Sequence, residues 1–246
     1  MAARPVPVAE LTHIFRQAAG SMIVRGAHAV RHGEAPEYGG DLFMVERADP
    51  REALREVVSL VATRLPGHYG IDPLADIQVF APVYRGALGI DALNARLREA
   101  LNPGGRPVLG GRLRIGDKLM LSGRNLHDLG LMNGTVLRLV DANDEKLTVS
   151  AEGLAVELDL EEAPKLQLAY ACSVHKGQGI ELPVAIVVAH PAAGAFFLRR
   201  EMLYTAMTRA RTATVIVGQR DVVVRAARTP DTSRRHSRLA VRLQSS

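Results

Sequence analysis

Tryptophan is absent from the 246 residues, and cysteine occurs once, as Cys172. A single cysteine excludes an intramolecular disulfide and favours a reducing cytoplasm as the place where the protein works. No apolar run approaches the length of a membrane span, and residues 1–10 lack an apolar signal segment. We therefore expect a cytoplasmic globular protein without a membrane partner.

The signatures of several enzyme classes are missing as well. The eight histidines and Cys172 show no metal-ligand spacing, so no metal site is predicted. A G-x-S-x-G elbow for a serine hydrolase is absent, and Cys172 lies in an apolar run that favours an inert, buried thiol. The triphosphate cradle G-x-x-x-x-G-K-[ST] is also absent, as is an acidic strand end that would bind Mg²⁺ beside it. The chain alone is therefore not expected to hydrolyse ATP.

Lysine is scarce, and the positive charge comes from arginine. The four lysines are Lys118, Lys146, Lys165 and Lys176. The net charge of +5 equals the excess of arginine over aspartate in residues 220–246 alone. Such an end can bind phosphates through counterion release, or it can be an ordinary solvated terminus. We expect residues 229–246 to form a basic, disordered tail.

Hydrophobic periodicity predicts alternating helices and strands on both sides of a central β-rich segment. Ser21 and Asp49-Pro50 are typical helix starts, and Pro66-Gly67 is a typical stop. The predicted order indicates a parallel sheet covered by helices. The further elements are strands at 41–47, 76–82, 182–190 and 212–219, and helices at 90–101, 196–211 and 221–228.

The central segment, residues 112–160, has short alternating runs separated by turn signals, which predicts a small barrel or sandwich inserted into an α/β domain. We therefore divide the chain into four parts. They are a first α/β segment at 1–108, the β insert at 109–161, a second α/β segment at 162–228 and the tail at 229–246.

One stretch, LAYACSVHKGQGIE at residues 168–181, combines a short apolar run with a polar loop. The run 168–172 is predicted to be a buried strand, and glycines in the loop let the main chain approach a ligand closely. Open α/β sheets bind ligands at the carboxyl ends of their strands, although an ordinary polar surface turn has the same composition. Other polar clusters lie at 15–17, 84–85 and 204–211, where arginines suit a phosphate ligand or are simple surface charges.

These residues resemble motifs of a known family. YACSVHKGQGIE followed by LYTAMTRAR resembles motifs V and VI of RecD-like superfamily 1 helicases, and LTHIFRQ is similar to motif IV. The segment 76–103 resembles the part that follows motif IV, and 116–140 is similar to the SH3-like insert of these helicases. The resemblance covers nearly the whole chain in the right order. It implies a second RecA-like domain, a parallel sheet flanked by helices, interrupted by a small SH3-like β-barrel.

The resemblance also implies roles for individual residues. Arg16 and Arg209 would act on the γ-phosphate, Arg209 as the arginine finger. The nucleotide side would further include Phe15, Gln178, Gly179 and Glu181. The DNA side would include Ser173, His175, Lys176, Tyr84 and Arg85. Motif V commonly has Thr where this chain has Ser173, a departure that keeps the hydroxyl.

The implied function is half of a motor, the C-terminal portion of an ATP-dependent 5′→3′ DNA helicase acting on single-stranded DNA. ATP and Mg²⁺ would be the cofactors of the complete motor, and an N-terminal P-loop helicase domain would be supplied in trans if the gene is split. Three alternatives stay open at this point: an inactive remnant, a module that only binds single-stranded DNA, and a free-standing nucleotide-binding domain of unrelated function. DNA repair, recombination and conjugation are all compatible pathways.

Overall fold

The computed structural model describes residues 20–231 and contains two main sheets. The first has five strands in the order β1-β12-β11-β2-β10, and every neighbouring pair is parallel. This confirms the predicted parallel sheet. Its strands are β1 (Leu42–Glu46), β2 (Ile77–Phe80), β10 (Ala171–Cys172), β11 (Leu182–Ala189) and β12 (Ala210–Gly218).

Helices cover both faces of the parallel sheet. On one face, α1 (Met22–Arg31), α5 (Arg200–Met207) and α6 (Arg220–Arg228) bury residues such as Val30, Leu203 and Val223. On the other face, α2 (Pro50–Ser59), α3 (Leu65–Tyr69) and α4 (Ile90–Leu101) bury residues such as Val57 and Leu97. Among residues 20–231, no helix is long and apolar enough to cross a bilayer.

Side-chain caps fix where the first two helices begin. The Ser21 hydroxyl accepts from the Val24 amide at 3.3 Å, and the Asp49 carboxylate accepts from the Arg51 amide at 2.6 Å. Both caps were predicted. The predicted stop at Pro66 is wrong, because a π-helical turn (Leu60–Arg64) leads into α3 and the helical run ends at Gly70, with φ of 66°. Pro66 follows directly on the π-helical turn, where the α-helical hydrogen-bond pattern is already interrupted, so the missing N–H is accommodated there.

The second sheet is antiparallel and has its own core. Its five strands have the order β8-β7-β6-β5-β9, and leucines such as Leu119, Leu139 and Leu147 are fully buried beneath them. The sheet continues to Leu168, beyond the expected boundary at residue 161. The insert of short strands is thus present, and its closure into an SH3-like barrel stays a prediction. The strands are β5 (Lys118–Leu121), β6 (Val136–Ala142), β7 (Lys146–Ala151), β8 (Leu154–Asp159) and β9 (Leu166–Leu168); a separate pair, β3 (Pro107–Val108) and β4 (Leu113–Arg114), precedes them.

A buried carboxylate ties the antiparallel sheet to α4. Asp117 is fully buried and accepts from Arg98 Nε at 3.1 Å and from Asn102 Nδ2 at 2.9 Å. The Tyr170 hydroxyl donates to the same carboxylate at 3.0 Å. Burial, and then the Asp117 charge, raise the pKa of Tyr170 above its ordinary value. A buried charge that is paired and hydrogen-bonded on several sides fixes the relative placement of the elements around it.

Candidate functional site

The stretch 168–181 does not begin with a single strand. Leu168 ends β9 in the antiparallel sheet, whereas Ala171 begins β10 in the parallel sheet. The predicted strand over 168–172 is therefore wrong. The chain changes sheets there because Asn94 of α4 satisfies its backbone: the Asn94 amide group donates to the Ala171 carbonyl at 3.0 Å and accepts from the Ala171 amide at 2.8 Å.

The loop that follows crosses one face of the sheet. It leaves the carboxyl end of β10 and enters the amino end of β11, and β2 lies between these two strands. The Ser173 hydroxyl accepts from the Lys176 amide at 3.3 Å and closes a turn. A Cβ on Gly177 would lie 2.4 Å from Phe80 Cε1, so only glycine lets the loop pass this close to β2. The loop therefore joins two opposite edges of the sheet: the edge formed by the carboxyl ends of its strands and the edge formed by their amino ends.

The first of these edges, which we call the carboxyl edge, consists of Tyr84, Arg85, Ser173, His175 and Lys176. Tyr84 and Arg85 follow β2, and the other three follow its neighbour β10. Tyr84 is 45% exposed, and Arg85 and His175 are exposed as well. The structure therefore brings the residues of the predicted DNA side together.

Lys176 links this edge to the antiparallel sheet. Its Nζ donates to Ser122 Oγ at 2.9 Å and to Gln167 Oε1 at 2.6 Å, and it lies 5.6 Å from the centroid of the Tyr84 ring. An ammonium has three donors, so one stays available after these two bonds. Lys176 is thus a structural link as well as a charge at the carboxyl edge.

The second edge, which we call the amino edge, consists of Gln178, Gly179, Glu181 and Arg209. Arg209 lies between α5 and β12, and its Nε donates to the Thr205 carbonyl at 3.2 Å. Its own carbonyl accepts from the Leu182 amide at 3.3 Å, which places it beside the end of the loop. Gln178, Gly179 and Glu181 line a cleft of about 510 Å³ between the two sheets.

Two predicted nucleotide residues, Phe15 and Arg16, lie outside the described residues, and their roles stay predictions. The expected disordered tail falls almost wholly outside them too. Cys172 is buried, and burial raises its pKa to about 12, which agrees with the inert thiol expected from its apolar surroundings. Within residues 20–231, no group of three His, Cys, Asp or Glu side chains is arranged to hold a metal ion.

Lys118 was not predicted to matter. It is buried, and its Nζ donates to the Ile77 carbonyl at 2.9 Å, joining β5 to the amino end of β2. Burial lowers its pKa to about 8. Its position in an alternating β run gave no signal, because the partner is a backbone carbonyl 41 residues away.

Phe196 and Phe197 are predicted to begin the helix that carries Arg209, yet they lie in a separate 3₁₀ turn (Ala195–Phe197), and α5 begins only at Arg200. Both rings are exposed, on the loop that follows β11. The available signal was a run of small residues between the buried strand and the two phenylalanines, which favours a turn there.

Comparison with known proteins adds independent evidence. Residues 168–217 match the family model of the UvrD-like helicase C-terminal domain. The ATP-dependent RecD2 DNA helicase of Deinococcus radiodurans is 37% identical over 211 residues, which cover 85% of this chain and 28% of that protein. The RecBCD enzyme subunit RecD of Mycolicibacterium smegmatis is 28% identical over 235 residues, covering 89% of this chain and 41% of that protein. The chain thus spans less than half the length of either relative.

Solved structures show the same fold. Pif1 helicase from Bacteroides, in complex with ADP-AlF3 and ssDNA, superimposes with a TM-score of 0.53 at 17% identity, covering 86% of this chain and 51% of the other. Pif1 helicase from Candida albicans gives a TM-score of 0.51 at 17% identity, with 86% and 56% covered. At this identity the likeness concerns the fold alone.

Proposed function

We propose that this chain, whose resemblance to the C-terminal domain of RecD-like superfamily 1 helicases the comparisons confirm, is the second RecA-like portion of an ATP-dependent 5′→3′ DNA helicase. One observation carries the proposal. The loop 173–181 runs from an edge with exposed polar and basic side chains to an edge that ends beside Arg209. A single rigid segment would thereby touch DNA at one end and nucleotide at the other.

The geometry suits a motor. Domain closure around ATP becomes a step along DNA only when the γ-phosphate contact and the DNA contact belong to one rigid body. The packing of Gly177 against Phe80 holds the loop to the sheet and supports such coupling. Contacts at the carboxyl edge would be to phosphates, since a translocase must ignore sequence.

The residues at the amino edge suit phosphate rather than a metal ion. Arg209 offers a guanidinium and Gln178 an amide, and Glu181 is the one carboxylate of this edge, whereas Mg²⁺ prefers several carboxylate and water oxygens in near-octahedral geometry. We propose that Arg209 stabilises the charge of the transferring phosphoryl group of ATP. A P-loop domain supplied in trans would bind the triphosphate and Mg²⁺, and the chain alone would not hydrolyse ATP.

The antiparallel sheet would guide the strand of DNA as the SH3-like barrel of this helicase type. A groove of about 740 Å³ supports this, because it runs from Tyr84 between α4 and β9. Its lining includes the exposed Arg96 and Arg112, whose charges suit a nucleic-acid backbone. Arg98 is paired with the buried Asp117, and Asp91 and Glu99 set acidic limits to the basic part of the groove.

The proposal is tested by adding a P-loop domain of a RecD-like helicase to the purified chain. We expect ATP hydrolysis that rises on addition of single-stranded DNA, with neither component active alone. A mixture that stays silent across a range of ratios and DNA lengths would contradict the helicase proposal.

A second candidate, a module that binds single-stranded DNA without a motor, is favoured by the exposure of the carboxyl edge. A salt titration of oligonucleotide affinity, repeated after deletion of residues 229–246, separates this edge from the basic tail. Binding that keeps its salt dependence in the truncated chain assigns it to the carboxyl edge. No salt-dependent binding in either form would rule this candidate out.

A further inference from the structure

Two adjacent phenylalanines stand in solvent on the loop between β11 and α5. The Phe196 side chain is 73% exposed and the Phe197 side chain 60%. Their ring centroids are 6.4 Å apart, and the rings are almost perpendicular, at 84°. Single exposed apolar residues are common, whereas an exposed pair of large aromatic rings more often marks a binding surface.

The loop that carries the pair is packed firmly against the carboxyl edge. A Cβ on Gly194 would lie 2.5 Å from Val83 Cγ1 and 3.3 Å from Phe197 Cδ2, so this glycine sits between the two loops. His190, at the start of the loop, accepts from the Ala192 amide at 3.0 Å through Nδ1, and its Nε2 lies 2.9 Å from the Ala48 carbonyl. The exposed rings are therefore held by a supported loop.

Cations accompany the aromatic rings along this surface. The Arg199 guanidinium lies 6.0 Å from the centroid of the Phe196 ring. On the other side of Gly194, the loop contacts Val83. The next residue, Tyr84, has the Lys176 Nζ at 5.6 Å from the centroid of its ring. The surface thus alternates positive groups with exposed aromatic faces. Single-stranded nucleic acids are bound by this combination, because cations contact the phosphates while bases stack on the rings.

We propose that Phe196 and Phe197 form a base-stacking platform for single-stranded DNA, adjacent to the phosphate contacts of the carboxyl edge. This inference rests on the proposed DNA-binding function and adds bases to the backbone contacts assigned there. Stacking accepts every base, since each has a π face, so the platform grips the strand without reading its sequence.

The absence of tryptophan allows a direct test in the full chain. Phe196→Trp introduces a single indole, whose fluorescence is quenched when a base stacks on it. We expect saturable quenching by an oligo(dT) strand and none by an abasic strand of equal length, although both bind. Phe43→Trp is the matched control, because Phe43 is 38% exposed on β1, at the opposite side of the parallel sheet from β10. Its fluorescence should stay unchanged with both strands.

A second measurement compares affinities. Replacing both rings, Phe196→Ala with Phe197→Ala, should weaken oligo(dT) binding about tenfold and leave abasic-strand binding unchanged. Normal oligo(dT) binding without quenching, or equal affinities of variant and parent, overturns the platform and leaves the proposed function standing. Failure of every strand to bind overturns both. A double variant that binds oligo(dT) normally but no longer binds the added P-loop domain would show that the rings contact protein. This result also overturns the platform.

Discussion

The two edges of the parallel sheet are both joined to the antiparallel sheet by a lysine, but in different ways. At the amino edge Lys118 is 5% exposed and donates to a backbone carbonyl of β2. At the carboxyl edge Lys176 is half-buried and donates to two side chains, Ser122 and Gln167. The Lys118 link is a buried, fixed joint between the two sheets, whereas the Lys176 link leaves the charge of the ammonium near solvent.

This difference separates what holds the two sheets together from what meets a ligand. The buried joint at the amino edge lies beside the cleft of Gln178 and Glu181, where closure against another domain is proposed. The carboxyl edge is open, as the exposure of Tyr84 and Arg85 shows. A rigid joint next to the proposed nucleotide contacts and an open surface next to the proposed DNA contacts would suit a domain that steps along DNA.

The largest effect is expected from a substitution that changes the amino edge alone. In the mixture with a P-loop domain, Arg209→Ala should reduce DNA-stimulated ATP hydrolysis by about 10³-fold or more, because an arginine finger stabilises the transition state by several kcal/mol. Affinity for single-stranded DNA, measured by fluorescence anisotropy, should not change.

Arg211→Ala is the matched control, since Arg211 is exposed on β12, two residues after Arg209. It should hydrolyse ATP like the parent. If both variants lose activity equally, or if Arg209→Ala loses DNA affinity instead, the division between the edges is wrong.

The next effect concerns the joint at Lys118. Burial lowers its pKa from 10.5 to about 8, so between these values the unfolded chain binds more protons than the folded one. Stability contributed by this group is therefore present above pH 10.5 and is lost as the pH falls toward 8, by about 3 kcal/mol in total.

Urea unfolding of the parent and of Lys118→Met across this range measures the effect. Their difference reports Lys118 together with its charge coupling to Cys172, because Tyr170 titrates in both proteins. The parent should gain stability relative to the variant as the pH rises from 8 to 10. A difference that is constant with pH would show that Lys118 is not buried as a cation at neutral pH.

A smaller effect is expected at Gly177, where the loop that joins the two edges passes over Phe80. Gly177→Ala should destabilise the fold by about 1–3 kcal/mol, because the added Cβ would meet the Phe80 ring at 2.4 Å. Gly67→Ala is the control, since no atom lies within 4 Å of its added Cβ and the residue is helical. Thermal unfolding should show a lower Tm for the first variant and an equal or higher Tm for the second.

Local signals made much of this arrangement predictable. Ser21 and Asp49 identified helix starts, and the buried runs identified four of the five parallel strands. Parallel strands place their carboxyl ends at one edge, so the proximity of Tyr84 and Ser173 followed from the order of elements. These features depend on neighbours in sequence, which periodicity and capping describe.

The remaining features depend on contacts between distant residues. The change of sheet at Leu168 requires Asn94 of α4, and the path of the loop requires Phe80 beneath Gly177. The late start of α5 leaves Phe196 in solvent, although its apolar character favours a place inside the fold. Nothing in the local pattern marks the pairs Leu168–Asn94 and Gly177–Phe80, because each partner alone has the composition of an ordinary helix, strand or loop.

The smallest effect sharpens the carboxyl edge. Lys176→Gln should weaken single-stranded DNA binding about two- to fivefold, uniformly over sequences, and reduce the salt slope by about 1. The loss is modest because two of the three ammonium donors already bind Ser122 and Gln167, which leaves one for a phosphate. Arg85→Gln, at an exposed position on the same edge, is the comparison.

If Lys176 is a joint first and a phosphate contact second, its removal should also lower the Tm, whereas Arg85→Gln should leave the Tm unchanged and weaken DNA binding by a similar factor. Oligonucleotide affinity at several salt concentrations, with thermal unfolding of both variants, distinguishes the two roles. A loss of affinity that depends on base identity would contradict a phosphate contact, since phosphates are the same at every position of the strand.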